Sequence, residues 1–195
     1  MDDRQELIEQ APVQDRDLLQ RMSLYFDSVD HRLRHGEGWL IFNAGNRRAR
    51  RIAGFIQQRL SEHRPPISYC MMPWRDLALS SLVTEIGLPT LLPSFATDAR
   101  ARAEFDIATK VTSVTFTQMV STELLVVIGC APSHRHEAEL LDRTLEQRQA
   151  LKLATILMTP RMPHQLEAEF DTVDPEGRYW SSIFGRMYES GMVAM

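Results

Sequence analysis

From residue 36 onward, short apolar runs alternate with amphipathic stretches, and this alternation sets the expected architecture. Trp39–Phe42 predicts a first strand. Arg47–Leu60 predicts a helix, because Ile52, Ile56 and Leu60 recur at i, i+4 and i+8 on one face. Pro65 and Pro66 break the chain before a second strand at Ile67–Met72. Trp74–Ile86 then carries Trp74, Leu77, Ala78, Leu82 and Ile86 at helical spacing, stopped by Gly87 with Pro89 beyond. Thr97 or Asp98 could cap a helix over Ala99–Ala108, whereas the β-branched Val111–Val120 fits either period. Leu124–Ile128 is apolar at every position, as an inner parallel strand requires. His136–Leu151 predicts a helix with Leu141, Leu145 and the alkyl part of Arg148 on one face, and Ala154–Met158 a further strand.

Strands joined by helices imply a parallel sheet, since parallel neighbours need crossover connections. The expected fold class is therefore α/β, a parallel sheet with helices on both faces. Residues 1–35 predict an N-terminal helical arm of one or two helices, with Leu18, Leu19, Met22, Tyr25 and Phe26 forming a face that packs against the rest of the chain. Residues 36–195 form the α/β domain.

With 195 residues, 44% of them hydrophobic, the chain can bury a sizeable core. No apolar run approaches a membrane span, and the opening MDDRQELIEQ is polar and acidic, so neither a membrane nor a secreted protein is expected. Cys70 and Cys130 each sit in an apolar run and read as reduced, buried thiols; a cytoplasmic location follows. A net charge of −4 argues against the whole molecule being an electrostatic nucleic-acid binder.

In such a sheet the ligand site lies at the carboxyl ends of the strands. The first strand runs into Asn43, Ala44, Gly45, Asn46, Arg47, Arg48, Ala49, Arg50 and Arg51. A phosphate loop of the form GxxxxGK[ST] needs glycines for backbone approach, a lysine for the phosphates and a hydroxyl for magnesium. With Asn43 in the first position, Arg48, Ala49 and Arg50 stand where glycine, lysine and hydroxyl belong, and none of the three roles is filled. After Leu124–Ile128 come Gly129 and Cys130, not the acidic pair that would hold magnesium, and the nearest following acid is Glu137. Thr159, after the fourth strand, is a sensor-like residue for a γ-phosphate. No catalytic residue and no metal ligand is assigned.

Arg47, Arg48, Arg50 and Arg51 oppose the macrodipole at a helix start, and an anion would relieve this cost. DNA or nucleotide phosphate is one reading of these arginines; a solvated patch, or pairing with Glu6, Glu9 or Asp15 of the arm, is the other and the commoner outcome. His134, His136 and Glu137 lack a second ligand cluster, and His31, His35, His63 and His164 are scattered. Cys130 follows an inner strand, but a buried thiol outweighs a nucleophile there. Trp180, Ile183, Phe184, Met187 and Tyr188 make an apolar face. It docks on the chain's own sheet or, if exposed, offers Trp180, Phe184, Met187 and Tyr188 to a partner.

The segments RLRHGEGWLIFNAGN, SLVTEIGLP, LLVVIG and LLDRTLEQRQALKLATILMTP, with the late Arg178 and Phe184, resemble AAA+ ATPases of the TniB/TnsC transposition-regulator kind and the DnaC/IstB group. That resemblance covers about residues 20–190. It implies a P-loop NTPase-like fold of RecA/AAA+ type, a phosphate loop at Asn43–Arg50, an acidic pair at the positions of Ile128 and Gly129, and a sensor at Thr159. Little chain remains for the usual helical lid, so an incomplete or missing lid is expected. In that family the loop binds ATP; given the unfilled roles at Arg48, Ala49, Arg50, Ile128 and Gly129, the expected protein is a non-catalytic regulator with no required cofactor, ATP or ADP binding without hydrolysis being left open and an active ATPase the least favoured reading. Its implied partners are a transposase, target-selector or helicase, with DNA through Arg47–Arg51 and a homo-oligomer left open. The sequence is also similar to degenerate RecA-like proteins of the SulA division-inhibitor type, which implies a division protein as partner.

Overall fold

The computed structural model describes residues 12–85 and 117–195. The helix expected over Ala99–Ala108, the Gly87 and Pro89 stop, and residues 111–116 lie outside the described residues, as do Glu6 and Glu9; residues 117–121 are helical.

Helices α1 (Val13–Asp27) and α2 (Val29–Arg34) lead into strand β1 (Gly38–Ile41), followed by α3 (Asn46–Glu62), β2 (Tyr69–Pro73) and α4 (Trp74–Glu85). Strand β3 (Leu124–Ile128), α5 (Arg135–Ala150), β4 (Ala154–Met158), α6 (Pro163–Val173), α7 (Arg178–Ser190) and β5 (Gly191–Ala194) complete the order. The five strands form one sheet in the order β2-β3-β4-β1-β5, with every pair parallel. Trp39 pairs with Ile156 and with Met192, so β1 lies between β4 and β5.

The strand side chains alternate between two cores. Trp39, Ile41, Leu124, Val126, Ile156 and Met158 pack with Ile52, Ile56 and Leu60 of α3 and with Leu18, Leu19, Met22, Tyr25 and Phe26 of α1. Leu40, Phe42, Leu125, Val127 and Leu157 pack on the other face with residues of α4, α5, α6 and α7. The connection from β1 back to β2 carries its helix on the face opposite the others, as right-handed crossovers require. Neighbouring β1 and β4 thus send their helices to opposite faces, which opens a crevice at their carboxyl ends.

Two glycines permit close strand approach. A Cβ on Gly38 would overlap the carbonyl oxygen of Thr155, and one on Gly191 would lie 2.6 Å from the carbonyl oxygen of Gly38. On α5 the Arg148 side chain is fully buried, with no ion-pair partner among the described residues. Its guanidinium donates to Thr155 Oγ1 (2.9 Å) and to the carbonyls of Met119 (2.6 Å), Thr122 (3.0 Å) and Ala154 (2.5 Å). Burial lowers its pKa to about 10. Arg148 therefore ties α5 to the polypeptide entering β3 and β4.

Two elements were not foreseen. Pro163 starts α6 at its first turn, where the missing N–H costs nothing. The Arg178–Met195 stretch divides into α7 and the four-residue β5, whose pattern is too short to show a period.

Candidate functional site

The loop after β1 is held by its own backbone. Asn43 takes a left-handed conformation (φ 53°), which an asparagine tolerates. The N–H groups of Phe42, Asn43 and Ala44 donate to the carbonyls of Ala194 (2.8 Å), Arg161 (2.9 Å) and Thr159 (2.7 Å). In a phosphate loop successive amides are left to surround an anion; here those of Asn43 and Ala44 are taken by the chain following β4. Gly45 is the N-cap of α3, no side chain caps that terminus, and its first turn holds no acid.

Arg48 points inward from the helix. Its Nε donates to Asp15 Oδ1 at 2.8 Å, Nη1 to the carbonyls of Phe42 (3.2 Å) and Asn43 (3.1 Å), and Nη2 to the carbonyl of Met195 (3.0 Å). Arg51 donates to the other carboxylate oxygen of Asp15, which is 1% exposed. One buried carboxylate from α1 thus joins two arginines of α3, the charge-assisted arrangement in which each partner satisfies the other's desolvated charge. Arg47, Arg50, Asn43 and Asn46 remain exposed, and Gly45 is half-buried. The basic cluster therefore divides into a paired inner half and a solvent-facing outer half.

Beside the outer half, an open cleft of about 370 Å³ is lined by Ala44, Asn46, Ala49, Arg50 and Ala53 on one side and Ile128, Gly129 and Pro160 on the other. The positions expected to carry an acidic pair therefore line it with an alkyl chain and a glycine. Among the described residues its lining holds one cation, Arg50, and no carboxylate. With Arg50 and the amide of Asn46 as its polar side chains among the described residues, such a cleft can receive an anionic or neutral group. Of the acids near Cys130, Glu137 accepts the Ser133 N–H (2.7 Å) and Glu169 accepts Arg161 Nε through Oε1 (2.5 Å), its Oε2 being buried without a hydrogen-bond partner among the described residues.

Thr159 is completely buried, its hydroxyl donating to the Cys130 carbonyl (2.7 Å) and accepting the Arg161 N–H (3.1 Å). Cys130 is also fully buried, whereas Cys70, expected to be buried as well, is only half-buried because it stands on the edge strand β2. Burial first, then the negative charges of Glu169 and Glu137, pushes the Cys130 thiol pKa far up, the reverse of what a nucleophile needs. On α7, Trp180 and Met187 are buried in the sheet's second core, Phe184 is half-buried and Tyr188 exposed. Phe170, Trp180, Phe184 and Tyr188 form a continuous row of rings with centroid spacings of 5.5, 5.2 and 6.0 Å.

The sequence reading missed one convergence. His31 on α2, His35 at the C-cap of that helix and Glu37 beyond it bring potential ligand atoms within 4.8 Å of one another among the described residues. The signal was the run HRLRHGE, with its i, i+4 histidines. The sequence also left unread that the guanidinium of Arg148, not only its alkyl chain, is buried.

The sheet order, the crevice beside β1 and the loop leading into α3 define the class: an AAA+ P-loop NTPase-like fold. The fold is similar to the crystal structure of the DnaC helicase loader, with a TM-score of 0.60 and 13% identity, covering 95% of this chain and 92% of that one. It is likewise similar to the crystal structure of DnaI, with a TM-score of 0.56 and 12% identity over 97% of this chain and 93% of that one. AMPPCP-bound DnaA from Aquifex aeolicus matches with a TM-score of 0.58 and 11% identity over 95% of this chain, which spans 47% of the initiator. No family model matches the sequence. No curated protein matches it either.

Proposed function

We propose that this chain is a catalytically silent AAA+-type regulatory protein that works by binding a protein partner, a helicase or transposase assembly, without hydrolysing nucleotide. The observation that carries the proposal is the Arg48–Asp15–Arg51 cluster. At the position of a phosphate loop's second glycine, the structure has a guanidinium held by a buried carboxylate of α1 and three backbone carbonyls. A cleft lining that carries no carboxylate among the described residues supports the same reading. The choice of partner rests on the likeness of fold to the DnaC helicase loader and DnaI, and on the sequence resemblance to transposition regulators. Fold likeness alone would leave many functions open. Here the sheet serves as a scaffold, with Arg47, Arg50 and the outer face of α7 available for contacts.

An equilibrium titration with a fluorescent ATP analogue, with and without magnesium, joined to an ATP turnover assay, tests the silent site. The expected result is no turnover and no magnesium dependence of any binding; magnesium-dependent hydrolysis abolished by replacing Arg50 would overturn it. Co-purification from the native host tests the partner. A helicase or transposase subunit supports the proposal, and a tubulin-like division protein would favour the inhibitor reading instead.

A further inference from the structure

We propose that His31, His35 and Glu37 form a binding site for a divalent transition-metal ion, zinc by the chemistry of its donors. The site lies at the junction of α2 and β1, at the amino-terminal edge of the sheet and away from the cleft beside Arg50. Two imidazoles and one carboxylate are the donor set of many three-ligand zinc sites, which leave a coordination position for water or a fourth group. Their ligand atoms already lie within 4.8 Å of one another. Donors around a tetrahedral zinc stand about 3.3 Å apart given bonds of about 2.0–2.1 Å, so small side-chain rotations of the two exposed histidines close the set.

Several features of the junction prepare these residues. The rings of His31 and His35 stack with centroids 4.3 Å apart. His35 Nδ1 lies 2.8 Å from the His31 carbonyl oxygen, and this bond selects the tautomer with a proton on Nδ1. That leaves the Nε2 lone pair for the ion, the role an outer hydrogen bond plays for a metal-bound imidazole. Gly36 (φ 68°) turns the chain sharply at the helix end, bringing Glu37 back beside the histidines. The turn is fixed by Gly36 N–H on the Leu33 carbonyl (3.0 Å), Glu37 N–H on the Arg32 carbonyl (3.0 Å) and the Tyr25 hydroxyl on the Glu37 carbonyl (2.7 Å). Arg32 holds Glu37 through Oε2, so the carboxylate's other oxygen is outside that pair. The Arg32 and Arg34 charges oppose a dication, so affinity in the micromolar rather than the nanomolar range is expected.

His134 and His136 provide an internal comparison. Their rings also stack, 5.3 Å apart, yet the neighbouring Glu137 is occupied by the Ser133 N–H. No third ligand joins that pair within reach among the described residues.

Calorimetric titration of the metal-free protein with zinc chloride at neutral pH, repeated with cobalt(II) and read by its visible absorption, tests the proposal. The expected result is one ion per chain and a zinc-dependent rise in Tm. Affinity should fall at least about tenfold in His31→Ala, His35→Ala and Glu37→Gln. The paired variant His134→Ala/His136→Ala should bind as the parent does. Each variant's Tm without metal, matching the parent's, shows that it folds. Absence of saturable binding, or a His31→Ala/His35→Ala chain that binds like the parent, would overturn the proposal.

Discussion

Arg48 makes four hydrogen bonds from a buried position, one of them to an almost wholly buried carboxylate. Removing one partner leaves the other charge without compensation. Asp15→Ala is therefore expected to destabilise the fold by about 3–5 kcal/mol, measured by urea unfolding. Adding Arg48→Met to it should cost less than the sum of the two single changes, since the stranded charge then disappears. The thiols give a second prediction at this scale. Burial raises the pKa of both, and for Cys130 the charges of Glu169 and Glu137 add to it. A thiol whose pKa is raised carries less thiolate at neutral pH and reacts more slowly. In the native protein an aromatic disulfide reagent should modify Cys70 slowly and Cys130 only after denaturant is added. Part of this residue-level picture was legible in the sequence. Arg48 lies four positions before Ile52 and eight before Ile56, in phase with the buried stripe of α3, whereas Arg47 and Arg50 are out of phase. The sequence named Asp15 as one acid among three, but pairing across 33 positions needs the fold.

Strands were most readable where every position is apolar; the equally buried β1 opens on Gly38 and so runs one residue earlier at each end than the expected Trp39–Phe42. The segments Leu124–Ile128 and Ala154–Met158 were predicted to the residue, because inner strands are apolar on both faces. The edge strand β2 begins two residues later than expected and ends one later, its exposed Tyr69 and Pro73 blurring the pattern. The other edge, β5, was unreadable for the same reason, and its pairing with β1 depends on two glycines rather than on hydrophobicity. Gly38→Ala should therefore be among the most damaging small substitutions. The new methyl group meets the backbone of Thr155 rather than a side chain that can move. The expected loss is about 3 kcal/mol or more, visible as a fall in Tm or as failure to accumulate folded protein. Gly54→Ala, in open space on α3, should be neutral or slightly stabilising and serves as the control.

At the scale of the whole molecule, a net charge of −4 coexists with an outward pair of arginines at the open amino-terminus of α3. If that face meets a nucleic-acid backbone, the Arg47→Ala/Arg50→Ala chain should bind DNA more weakly. The dependence of log affinity on log salt should flatten by about 1 per arginine. Replacing Arg48 and Arg51 would be the wrong test, because their loss acts through stability. The Arg48 bonds also bear on the order in which the molecule assembles. That one side chain joins α1, the end of β1 and the carbonyl of Met195, contacts that span 33, 6 and 147 positions. Contacts of such long span close large loops and are costly to form early. The clamp should thus be absent from the transition state of folding, so that weakening it changes the rate of opening rather than of closing. In stopped-flow measurements Asp15→Ala should unfold roughly 150- to 5,000-fold faster, the rate equivalent of that 3–5 kcal/mol loss, while refolding at nearly the parent rate. The bond that fills the loop would then also set the lifetime of the native state.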